Sequence, residues 1–175
     1  MQDQHLPTQI APFKLARQGQ ALQGVVSVDG LERLATLLSD NNGRIEVSLQ
    51  FGKNQQGINF VRGHLSAEVN VICQRCMKPM PVQIETDVSL GIVSSDERAA
   101  QLPEEFEALI VEEEPIALAR IVEDELILAL PIVALHENQS CEPVLEKLQA
   151  EASRIEQAEQ KTNPFAVLSD LKQQH

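Results

Sequence analysis

The chain has no tryptophan and no tyrosine, and with five phenylalanines its aromatic content is 3% of 175 residues. Holding single-stranded nucleic acid by stacking bases takes several exposed rings, so the composition argues against that mode. Bases are also scarce: 14 Lys and Arg stand against 26 Asp and Glu, a formal net charge of −12. Broad phosphate binding draws on clustered Lys and Arg, and the total opposes it. No apolar run approaches the roughly 20 residues of a membrane-spanning helix. Met1-Gln2-Asp3-Gln4-His5 lacks the basic start and apolar stretch of an export signal. These absences predict a cytoplasmic protein whose three cysteines are reduced rather than paired. What is present, 43% hydrophobic residues, is enough to bury a core and excludes wholesale disorder.

The negative charge is unevenly placed. Residues 1–95 hold eight acidic and eight basic side chains, whereas residues 96–125 hold eleven acidic and two basic ones. A neutral half therefore runs into an acidic middle. Such a stretch serves as a solvated surface or as a face that attracts a basic partner, such as a ribosomal protein.

Periodicity outlines an α+β domain over residues 1–141. The first twenty residues read as an extended lead-in, and Gln23 to Val28 as a strand. Asp29 is placed to cap a helix from about Gly30 to Ser39, with Leu31, Leu34, Leu37 and Leu38 on one face. Ile45, Val47 and Leu49 alternate with polar neighbours as in a strand. Leu65, Ala67, Val69, Val71 and Cys73 recur at every second position, and the pattern resumes after Pro81 with Val82, Ile84, Val88, Leu90 and Ile92. Ala108 to Val111 is a short strand. Pro115 suits the first turn of a helix that runs to about Leu130, buries Leu118, Ala119, Val122, Leu126 and Ala129, and stops at Pro131. The expected architecture is a mostly antiparallel sheet packed against this one main helix. A polar linker or loose helix over 142–162 follows, then a short terminal helix in 163–175. There Phe165, Leu168 and Leu171 share a face, as anchors that fold back or dock on a partner.

One constellation has coordination geometry. Cys73-Gln74-Arg75-Cys76 is a C-x-x-C turn between two strands, and His136 and Cys141 offer an imidazole and a third thiolate. Cys73, Cys76, His136 and Cys141 would form a Cys₃His site for one structural Zn²⁺. The alternative is that the cysteines are unliganded. A redox dithiol has less support, since no helix N-terminus follows Cys73. Arg75 and Lys78 lie in the turn, with Arg62 and His64 on the incoming strand, and together they form the chain's one phosphate-facing candidate. Catalysis finds little support: there is no phosphate-binding loop, nucleophile elbow or zinc-protease signature. Glu123-Asp124-Glu125 would carry a carboxylate-dependent hydrolase or nuclease, but beside Arg120 it reads as a surface ion-pair group. Glu112-Glu113-Glu114 supplies negative charge ahead of the next helix. The chain is expected not to be an enzyme.

Several motifs recur together in one order: Cys-Gln-Arg-Cys-Met-Lys-Pro at 73–79, Leu-Pro-Glu-Glu-Phe-Glu at 102–107, and Val-Glu-Asp-Glu-Leu-Ile-Leu-Ala-Leu-Pro at 122–131. With His136, Cys141 and Asn-Pro-Phe-Ala-Val-Leu at 163–168, they resemble the bacterial YceD family of large ribosomal RNA subunit accumulation proteins. The match spans about Arg62 to Cys141 plus the tail; the first sixty residues resemble the family in length and layout. The resemblance implies a role in the synthesis, processing or stability of the 23S rRNA precursor and a metal- or nucleic-acid-binding character at Cys73 and Cys76. It brings no catalytic residues. Two readings follow: a non-enzymatic ribosome-biogenesis factor acting through basic ribosomal or assembly proteins, or a zinc-stabilised module that binds precursor rRNA directly, with contacts at Arg75 and Lys78.

Overall fold

Apolar residues at every second position build the sheet, because successive strand side chains point to opposite faces. The computed structural model describes residues 6–136 and residue 149. It divides into two units, one of residues up to 72 with 79–134, the other of 73–78 with the chain from 135 onward. The first unit holds the sheet and helices. Its elements, in order, are β1 (Gln9–Ile10), α1 (Pro12–Gln18), β2 (Ala21–Ser27), a 3₁₀ turn (Val28–Gly30), α2 (Glu32–Ala35), β3 (Arg44–Lys53), β4 (Asn59–Ile72), β5 (Pro79–Val93), α3 (Asp96–Ala99), β6 (Glu107–Ile110), β7 (Ile116–Ala117) and α4 (Leu118–Ala129).

Strands β2 to β6 form one five-stranded sheet in chain order. Its first three pairings are antiparallel and β5–β6 is parallel, so the α+β class with a mostly antiparallel sheet is observed. The register aligns Ile45, Ala67 and Ile84 across β3, β4 and β5, and Phe51, Val61 and Leu90 likewise. All six are buried, while the alternate positions Glu46, Ser48, Gln50, Arg62 and His64 are exposed. One face is therefore core and the other is wet. Gly63, opposite Leu49, admits no side chain: a Cβ there would overlap the Ser48 carbonyl oxygen.

Three sequence expectations need correction. The lead-in is not wholly extended, since it contains α1, opened by Pro12 and closed by Gly19 in the left-handed conformation at φ 62°. The first-turn N–H of Phe13 donates to Glu114 Oε1 at 2.6 Å, a cap supplied from 101 residues away. The Gly30–Ser39 helix is only a 3₁₀ turn and the single turn of α2. Leu31 and Leu34 are buried but Leu37 is 50% exposed, because only one turn faces the core. Asp29 caps nothing by its side chain. Finally, Pro115 lies ahead of the main helix rather than in it. Ile116 and Ala117 pair with Ile10 and Gln9 in the β1–β7 ribbon, and α4 starts at Leu118, whose N–H donates to Thr8 O. The buried stripe is Leu118, Ile121, Val122 and Leu126; Ala119 and Ala129 pack at its margins.

Candidate metal centre in the cysteine turn

The second unit begins where β4 ends. Cys73 N–H donates to Lys78 O at 2.9 Å and Met77 N–H to Cys73 O at 2.8 Å. Met77 adopts φ 58°, the left-handed conformation that lets so short a connection reverse while keeping both bonds. Cys73 and Cys76 are consequently brought together and buried. The two Sγ atoms and a ring nitrogen of His136 all lie within 4.8 Å of one another. Cys76 Sγ is 3.5 Å from His136 Nδ1. In a tetrahedral zinc site, with Zn–S of about 2.3 Å, sulfurs sit about 3.8 Å apart, so the arrangement is compatible with one ion.

The electrostatics favour a ligand in its metal-ready form. Burial raises the Cys73 thiol, but the backbone N–H groups of Cys76, His136 and Arg75 and the His136 ring outweigh it and lower the group to about 5. A thiolate at neutral pH is the species that binds a soft or borderline cation. Arg75 donates to His136 O at 3.0 Å, which ties the imidazole-bearing segment to the turn. The structure thus brings Cys73, Cys76 and His136 together. Cys141 lies outside the described residues, as do Phe165, Leu168, Leu171 and the proposed 163–175 motif.

Arg75 is engaged with the His136 carbonyl, and Lys78 is exposed. Arg62 lies in β4. Its guanidinium stacks on Phe106 and Phe60, at 4.7 and 5.4 Å from the ring centroids, and pairs with Glu105 at 3.1 Å. His64 Nδ1 is 2.9 Å from Asp87 Oδ1.

The acidic stretch contributes two residues whose roles were not legible locally. Glu123 is 6% exposed, and its Oε1 accepts the N–H groups of Arg33 (2.6 Å) and Leu34 (3.2 Å), capping α2. Asp124 pairs with Arg33 at 2.6 Å, not with Arg120. Glu123 and Asp124 are thereby engaged in structural bonds.

Comparison with known proteins places the chain. Residues 61–172 match the family model described as large ribosomal RNA subunit accumulation protein YceD. A Haemophilus influenzae protein named large ribosomal RNA subunit accumulation protein YceD is 35% identical over 174 residues, covering 99% of each chain. No solved structure matches. Among the described residues no helix is long and apolar enough to cross a membrane. From the family model and the near-full-length relative together, the chain belongs to the YceD family.

Proposed function

We propose that the chain is a non-enzymatic ribosome-biogenesis factor that supports accumulation of 23S rRNA through basic ribosomal or assembly proteins. Family membership carries this reading, and the charge pattern gives it a direction, because eleven acidic side chains between residues 96 and 125 repel phosphate and attract cationic surfaces. In this reading Cys73, Cys76 and His136, with Cys141 as fourth ligand, hold one structural Zn²⁺. Bound there, the ion supplies a cross-link among the turn and the segment that carries His136. The protein's own contribution is the set of N–H groups that keeps Cys73 deprotonated and the Arg75 bond to the His136 carbonyl.

The test is restoration of 23S rRNA in a strain lacking the protein, read beside binding to a precursor fragment over a salt series. The expected outcome is restoration by the wild-type chain and by a Glu123→Gln variant, with weak precursor binding. Steep salt-dependent binding that is lost in an Arg75→Ala/Lys78→Ala variant would instead establish direct RNA contact.

A further inference from the structure

The acidic stretch places three carboxylates around an apolar groove. Between β6 and α4 lies a cleft of about 320 Å³ lined by Leu109, Ile121 and Leu128 and by Glu107, Asp124 and Glu125. Leu128 is 73% exposed, on a helix whose other large apolar side chains are buried or half-buried. Among the described residues the single cation in the lining, Arg33, is held by Asp124. Among the described residues Glu107 and Glu125 have no cationic partner. Strand β6 is the last of the sheet, so among the described residues nothing pairs with the outer edge of its backbone.

One of these carboxylates, Glu125, works against the fold. Glu125 follows Leu118 by seven residues, two helical turns, which sets it on the apolar side of α4. Burial, then Glu107, then Asp124 raise its carboxyl above the ordinary range. A charge kept where it opposes folding, beside an uncovered leucine and an open strand edge, is the pattern of a surface shaped for a partner.

We infer that the β6–α4 groove docks a basic, partly apolar segment of a protein partner, with Lys or Arg side chains on Glu107 and Glu125 and an aliphatic side chain against Leu128. The segment lies along the free edge of β6, where alternating side chains suit strand addition. Nucleic acid is the wrong chemistry, since its phosphates would face a groove whose described lining carries three acidic groups and one paired base. This inference rests on the protein-partner reading above and names the surface that reading requires.

The experiment measures anisotropy of a labelled Arg-Leu-Arg-Leu-Arg-Leu-Arg peptide on the full chain, with a peptide of equal charge carrying Ser for Leu as comparison. Glu107→Gln/Glu125→Gln is expected to weaken the first peptide at least tenfold, and Leu128→Ser to erase its advantage over the serine peptide. Glu112→Gln/Glu113→Gln, which removes as much charge elsewhere in the stretch, should leave affinity within twofold. Equal losses in the two double variants, no preference for leucine, binding weaker than about 100 µM, or displacement of the peptide by a uridine oligonucleotide each overturn the inference. An unfolding midpoint for Glu107→Gln/Glu125→Gln at or above that of the wild type separates lost docking from lost folding. Failure of the wild-type chain to restore 23S rRNA would reject the functional reading whatever the peptide does. Restoration by a double variant that no longer binds peptide would reject the groove alone.

Discussion

The cysteine turn and the acidic stretch present opposite relations between sequence and role. The turn concentrates its chemistry in a few neighbours: Cys73, Cys76 and the N–H groups between them, with His136 brought in by Arg75. The acidic stretch spreads its chemistry outwards. Glu114 caps α1, Glu123 caps α2, Asp124 holds Arg33, and Glu105 holds Arg62 against two phenylalanines. One run of like charge thus contains two populations, acids that fasten distant backbone or arginine side chains and acids such as Glu107 and Glu125 with no cation beside them among the described residues. The comparison teaches that net charge says little about use until each carboxylate is placed against what it accepts from.

The sharpest way to break this comparison is to remove what the turn is proposed to hold. Structural zinc contributes roughly 10–16 kcal/mol to the segment it organises. Protein purified without chelators should carry about one zinc per chain, and Cys73→Ser/Cys76→Ser close to none, by elemental analysis. Chelation should disorder the turn while leaving the strand signal in far-ultraviolet circular dichroism, because the sheet core draws on Ile45, Leu65 and Ile84 and not on the cysteines. A metal-free chain with the turn still ordered would show that the N–H···S bonds suffice without an ion.

Next in size is Glu123. Replacing it by alanine leaves the Arg33 and Leu34 N–H groups without their acceptor in a site where Leu34 is wholly buried. The loss should be about 2–3 kcal/mol, read as a lowered urea midpoint, and Glu123→Gln should recover most of it because an amide oxygen still accepts. If alanine and glutamine behave alike, Glu123 is not a cap. Glu114→Ala removes the corresponding bond to Phe13 N at an exposed site. About 0.5–1 kcal/mol is expected there, so the two caps rank by burial and not by charge.

The same contrast explains what the sequence could convey. Strands β3, β4 and β5 were legible because a half-buried strand writes its face directly into period-2 alternation, and the approach of Cys73 to Cys76 was legible because C-x-x-C has a local geometric meaning. Helix α1 was hard to see: Pro12 and Gly19 mark its ends, but its first-turn acceptor comes from Glu114 and only Pro12 and Ala16 are buried. The leucines from 31 to 38 mimic a helical stripe longer than α2, since Leu37 belongs to solvent. Glu123 looked like its neighbours Asp124 and Glu125 because a long-range cap leaves no local spacing. Position along α4 alone cannot separate an acid that fastens α2 from one that faces a groove.

The smallest effect is the most discriminating between the two populations of acids. Glu125 has its carboxyl raised by burial and by the charges of Glu107 and Asp124, so the folded state holds its proton to higher pH than the unfolded chain does. Between those two values the folded state binds more protons, and stability falls as pH rises through the window. Glu125→Gln removes that loss. The variant should be more stable than the wild type at neutral pH by a few tenths of a kcal/mol, the gain kept small by solvent screening of a half-exposed group. The difference should shrink towards zero as pH drops below about 4.3, where the unfolded carboxylate also takes up its proton. Glu123→Gln should show no such gain, because the Glu123 side chain accepts from two backbone donors. A stabilised Glu125→Gln that has lost peptide binding would mark a residue kept for a partner against the interest of the fold. A destabilised one would move Glu125 into the company of Glu114 and Glu123.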